Sequence, residues 1–385
     1  MSEPAYHPGL EGVIAGETAI STIAGGSGLR YRGYAIEDLA REASFEEVAY
    51  LILHGELPAA AALKDFCSRL AAAAPLQGEV LEFMRSVPRD TPIMDFLRTA
   101  SSALAHFDAE AADTSSEAQL RKAERLLAQF PTVLAAQRRI QQGKEPVNPD
   151  PQKSFAANLL WMLRGEEPSP QLERAMDVSL TLYAEHEFNA STFAARVITS
   201  TLSDLHSSIA GAIGALKGPL HGGANERVME VLQEVGTAEN AEPWIRQALA
   251  EKRRIMGFGH RVYKEGDPRA RFLKPLCQEL AVETGHEEME NMAEVIERIV
   301  VEEKGLPPNL DWPSARLYHY MGLDVTIYTP LFVVSRVTGW AAHVIEQMEN
   351  NRLIRPRSRY IGPEPRPWTP IAARSSFSKL PAATH

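Results

Sequence analysis

The chain has 385 residues, 44% of them hydrophobic, 23% charged and 7% aromatic, a globular composition with enough apolar material to fold without a disulfide or structural metal. Its two cysteines, Cys67 and Cys277, lack CxxC or Cys/His ligand spacing, which excludes a zinc module and a secreted disulfide scaffold. A net charge of −10 disfavours generic nucleic-acid or anionic-membrane binding, and no apolar run approaches the roughly 18 residues of a membrane span, so a cytoplasmic location is expected.

Residues 17–35 alternate β-branched side chains around Gly25-Gly26-Ser27-Gly28 and predict a small β-hairpin. From Ile36 the period becomes helical. Ser44 and Glu47 form a capping box, followed by an apolar face of Phe45, Val48, Ala49, Leu51 and Ile52. Further helices are expected over 59–73, 77–86, 92–105, 117–142, 154–163, 170–182, 191–200, 205–216, 224–235, 243–252, 269–284, 287–304, 313–322 and 330–349. With no βαβ rhythm, the fold class is mainly α. The Ser/Ala/Gly-rich stretch 199–220 points to close helix packing, and 355–381, with six prolines, to an irregular C-terminal arm.

Several motifs carry chemistry. His221 lies in the glycine-rich bend Gly218–Glu226, just before a helix, where backbone N–H groups favour negative charge; a loop histidine bonded to a neighbouring carbonyl is the plainer alternative. His260 follows Gly257-Phe258-Gly259, but Val262 stands where a dinucleotide fingerprint needs its third glycine. Residues 252–274 hold eight basic against two acidic residues, which suggests an anionic ligand. Asp311, flanked by Leu310 and Trp312, is either the N-cap of a helix starting at Pro313 or a partly desolvated carboxylate suited to general-base work. Arg336 interrupts an apolar helix and needs an anionic partner if buried. His186 precedes a helix near Ser191 and reads alternatively as part of a His/Glu cap.

In this order, the HEFN, GPLHGGANE, GFGHRVYKEGDPRA, NLDWPSA, LFVVSR and RPRSRYIGP motifs, with GLEGV near the start, closely resemble the citrate synthase family over almost the whole chain. The resemblance is to the shorter bacterial and archaeal form. It implies a citrate synthase-like two-domain helical homodimer, with a large domain over 1–222 and 324–385 and a small CoA-binding, catalytic domain over 223–323.

The resemblance also implies an acyltransferase that condenses acetyl-CoA with oxaloacetate and hydrolyses citryl-CoA, a step of the tricarboxylic acid cycle. Asp311 would be the base on the methyl group, His221 would hydrogen-bond the enolate oxygen, and His260 would polarise and protonate the ketone. His186, Arg269 and Arg336 match oxaloacetate-binding positions, and Arg355 matches an arginine donated across the dimer. Gly257, Phe258, Gly259 and Lys264 would contact CoA, a substrate, so neither cofactor nor metal is expected. The near alternative is 2-methylcitrate synthase acting on propionyl-CoA. A distant one is a metal-dependent hydrolase with His221, His260 and Asp311 as ligands, which the surrounding arginines oppose.

Overall fold

A computed structural model describes residues 6–23, 28–260, 262–263 and 266–374. They fall into two units. The first joins the N-terminal residues up to Gly16 to the arm from Arg355 onward; it is exposed, extended chain with 3-10 turns at Pro8–Leu10 and Ile371–Ala373. The second, Glu17–Ile354, holds the small sheet and the sixteen described α-helices.

The sheet has three short antiparallel strands, β1 (Ser21–Thr22), β2 (Arg30–Tyr31) and β3 (Tyr34–Ala35), with Ser21 opposite Tyr31 and Tyr31 opposite Tyr34. The expected hairpin is therefore its first half, whose turn at 24–27 lies outside the described residues; Gly33, at φ +91°, makes the second turn. The helices are α1 (Ile36–Glu42), α2 (Phe45–His54), α3 (Ala60–Ala73), α4 (Gly78–Ser86), α5 (Ile93–Leu104), α6 (Ser116–Gln141), α7 (Phe155–Arg164) and α8 (Pro170–Tyr183). They continue as α9 (Ala190–Thr199), α10 (Leu205–Leu216), α11 (Ala224–Val235), α12 (Ala238–Ala250), α13 (Pro268–Thr284), α14 (Glu287–Lys304), α15 (Asp311–Tyr320) and α16 (Tyr328–Glu349).

Caps fix the boundaries. The Ser44–Glu47 capping box opens α2, Asn189 caps α9, Asp204 caps α10 and Asp267 caps α13. Helix α16 is buried along most of its length, Trp340 and Val333 through Val344 included, and packs on α2, α6, α8, α9 and α10. Helices α9 and α10 lie close together because Gly211 faces Ile198 with no room for a Cβ, the packing expected of the small-residue stretch. Farther along, α12 packs on α14, and α15 on α11 and α13. The sheet anchors the turn after α8: the Tyr31 hydroxyl donates to the Glu185 carbonyl at 2.9 Å, and the Glu187 amide donates to Ser21 Oγ at 2.9 Å. No helix of the described residues is long and apolar enough to cross a membrane.

Candidate active site

Asp311 is positioned by a clamp between two loops. Phe258 and Pro308 form an antiparallel bridge, the Gly259 amide donates to the Pro307 carbonyl at 2.8 Å, and the Asn309 amide donates to the Gly257 carbonyl at 2.9 Å. Gly257 has φ +87°, and a Cβ there would meet Val228 at 2.9 Å and the Trp312 ring at 3.0 Å, so only glycine fits. Trp312 is fully buried and seats the start of α15. Asp311 is the first residue of that helix and Leu310 occupies the capping position, so the side chain of Asp311 does not cap. It accepts instead from the Tyr183 hydroxyl at 3.0 Å. Burial pushes its carboxyl up to about 6, against the opposing pull of the Tyr183 hydrogen bond and of Arg269. No described residue forms an ion pair with it, and it keeps a partial opening to solvent.

His221 stands three residues before α11, but the helix end it meets is that of α9. Its Nε2 accepts from the Ser191 amide at 3.2 Å and lies 2.8 Å from Ser191 Oγ. The Ser191 hydroxyl is itself held by Trp340 Nε1 at 3.0 Å. Burial, with the positive charge of Arg336, pushes the imidazole down to about 4, so it is neutral at pH 7. With Nε2 accepting from an amide, the single proton is assigned to Nδ1, a donor. The bond is to a helix N-terminus, not to a neighbouring carbonyl.

His260 accepts from the Val262 amide at 3.1 Å and the Tyr263 amide at 3.3 Å, both through Nδ1, which assigns the proton of the neutral ring to Nε2. Its ring centroid is 5.4 Å from that of His186 and 4.7 Å from that of Tyr263. His186 Nε2 lies 3.1 Å from the Tyr263 hydroxyl, and burial first, then Arg269 and Arg336, hold its imidazole well below the usual histidine range. His186 does not cap α9, a role taken by Asn189.

The two site arginines of this unit differ. Arg269 is buried and paired with Asp267, Nε to Oδ1 at 3.0 Å and Nη2 to Oδ2 at 2.8 Å. Arg336 is 1% exposed; its Nε donates to the Tyr183 carbonyl at 2.7 Å, its guanidinium lies 4.6 Å from the Phe332 ring centroid, and Nη1 has no hydrogen-bond partner. Burial pulls its pKa down to about 10. A buried guanidinium nitrogen without a partner has the chemistry of a site awaiting an anion. Arg355 opens the arm of the other unit and is exposed. Lys264 lies outside the described residues. The basic excess near 252–274 is partly consumed by remote carboxylates, Arg253 by Glu234 and Lys274 by Glu297.

Contacts through shared aromatics thus bring Asp311, His221 and Arg336 together around Tyr183 and Phe332, and His186, His260 and Arg269 around Tyr263. Tyr183, Ser191, Tyr263 and Asp267 are the members without a sequence assignment. Among the described residues no group of three His, Cys, Asp or Glu is arranged to hold a metal ion.

Residues 9–357 match the family model described as citrate synthase, C-terminal domain. Citrate synthase 2 of Bacillus subtilis (strain 168) is 50% identical over 368 residues, 95% of this chain and 99% of its own. A 2-methylcitrate synthase of Shewanella oneidensis is 45% identical over 95% of this chain and 97% of its own. The solved ternary complex of Thermoplasma acidophilum citrate synthase with carboxymethyl coenzyme A and oxaloacetate matches with a TM-score of 0.89 at 35% identity, covering 95% of this chain and 99% of that one.

Proposed function

Because the chain belongs to the citrate synthase family, we propose that it condenses acetyl-CoA with oxaloacetate and hydrolyses the citryl thioester to citrate and CoA. The observation that carries this reading is the Asp311 carboxylate, whose described side-chain partner is the neutral Tyr183 phenol and not a cation, and which burial pushes up to about 6. A base so tuned is largely ionised at pH 7 yet more basic than a surface aspartate. Asp311 takes a proton from the acetyl methyl group, and the Nδ1–H of neutral His221 donates to the thioester oxygen as charge develops there. The new carbon nucleophile attacks the keto carbon of oxaloacetate, and the resulting alkoxide takes its proton from His260 Nε2. Water then cleaves the thioester.

Arg336, His186 and Arg269 are assigned to the oxaloacetate carboxylates, with the unpartnered Nη1 of Arg336 as the principal contact. The loop Gly257-Phe258-Gly259 and Lys264 are assigned to CoA. We further infer a cytoplasmic homodimer in which Arg355 reaches the neighbouring site, and a segment 223–323 that closes over bound substrates to keep the enolate and the thioester from bulk water.

The test is parallel release of free CoA from acetyl-CoA and from propionyl-CoA, each with oxaloacetate. A higher kcat/KM for acetyl-CoA is expected; preference for propionyl-CoA would move the assignment to 2-methylcitrate formation, and release from neither would remove it.

A further inference from the structure

Tyr183 takes no part in the steps above, yet three of its groups each hold a different part of the site. It ends α8 and is 3% exposed. Its hydroxyl lies 3.0 Å from Asp311 Oδ1 and 2.7 Å from Ser314 Oγ, on the same first turn of α15. Its carbonyl accepts from Arg336 Nε at 2.7 Å. Its ring meets Phe332 edge-on with centroids 4.6 Å apart, and Phe332 in turn borders the His221 ring at 6.3 Å.

We propose that Tyr183 is a positioning residue for the base: its hydroxyl holds Oδ1 of Asp311 and leaves Oδ2 to take the substrate proton, while its carbonyl sets Arg336 at a fixed distance from that oxygen. This rests on the reading of Asp311 as the base. The terminal torsion of an aspartate is broad and two-fold, so nothing intrinsic to the residue selects which oxygen points outward. One donated hydrogen bond does. The Tyr183 phenol has a single proton; when it goes to Asp311, the Ser314 hydroxyl serves as donor to the Tyr183 oxygen. Burial holds the phenol well above its ordinary value, so it remains a donor wherever the enzyme works. The same bond favours the ionised carboxylate and opposes the upward push of burial.

The test is Tyr183→Phe, which keeps the ring and the carbonyl and deletes one oxygen, measured beside Asp311→Asn. Tyr183→Phe is expected to move the acidic limb of the kcat/KM profile up by roughly half to one pH unit, in line with the loss of one hydrogen bond to a carboxylate. It should lower plateau kcat ~10-fold while the KM for oxaloacetate stays within twofold, because the bond to Arg336 survives; a loss of ~1.4 kcal/mol in transition-state stabilisation corresponds to that factor. A limb that stays in place, whether or not kcat falls, overturns the positioning role and leaves Tyr183 as packing. If Asp311→Asn retained turnover, the assignment of the base would fall instead. An inactive Asp311→Asn beside a Tyr183→Phe of unchanged limb separates the two failures.

Discussion

Helices α13 and α15 open on two aspartates in opposite surroundings. Asp267 is 1% exposed, yet its carboxylate is answered from several sides: two guanidinium bonds from Arg269, its amide at 3.0 Å and the Leu310 amide at 3.2 Å. Asp311 is partly open, meets one neutral phenol, and is pushed up to about 6. Full burial is tolerated where the charge is matched donor by donor, and such a carboxylate has no capacity left for chemistry. The second carboxylate keeps its basicity because the fold declines to neutralise it, which lowers stability. The two are linked, since the Leu310 amide that Asp267 holds lies directly before Asp311. Thus the neutralised aspartate helps to place the one proposed as the base.

The two aspartates should differ most in activity. Asp311→Asn is expected to lower kcat ~1,000-fold, within the range typical of a lost general base, while oxaloacetate still binds. Asp267→Ala leaves a buried Arg269 without its partner and should cost roughly 3–5 kcal/mol of stability, read as a drop in urea midpoint. An Asp267→Ala protein as stable as wild type would dissolve the distinction. Arg336→Leu removes a buried cation with no described ion-pair partner, so stability should hold while the KM for oxaloacetate rises ~10- to 100-fold, as expected for a lost charged hydrogen bond.

The smallest effect concerns pH and stability. Folded Asp311 keeps its proton up to about pH 6, whereas the unfolded residue releases it near 3.8. The folded state therefore binds more protons across that window, and stability falls as pH rises through it. Asp311→Asn escapes this loss. It should exceed wild type by about 1–2 kcal/mol at pH 7, after discounting for the opening to solvent, with the gap closing towards pH 4. Denaturant titrations at pH 4 and pH 7 check it; a gap that widened towards acid would reverse the sign.

Much of the fold is legible in the chain because caps and periods are local. Helices α10, α11 and α14 occupy the expected 205–216, 224–235 and 287–304, and the Ser44–Glu47 box forms as read. Helix α12 instead begins at Ala238, ahead of the expected 243, because Pro243 sits inside the helix and not at its first position, forgoing one ladder bond. Helix α15 likewise begins ahead of its proline, at Asp311, but Pro313 at the third helical position forgoes no ladder bond, because the first-turn N–H groups have no intrahelical partner. Arg336 was readable as a cation in an apolar run. Tyr183 was not: an aromatic ending an apolar helix looks like core, and its partner Asp311 is 128 residues away. The basic stretch near 252–274 is legible only in part: Glu234 and Glu297, which pair Arg253 and Lys274, reach it through the packing of helices.

The step proposed for Asp311, removal of a proton from the acetyl methyl group, is isolated from condensation and hydrolysis by solvent exchange of that group. Acetyl-CoA in D2O, with a non-reacting oxaloacetate analogue bound, is followed by NMR for wild type and Asp311→Asn. Methyl protons exchanging on the wild-type enzyme but not on the folded variant are predicted; equal exchange on both would contradict the account.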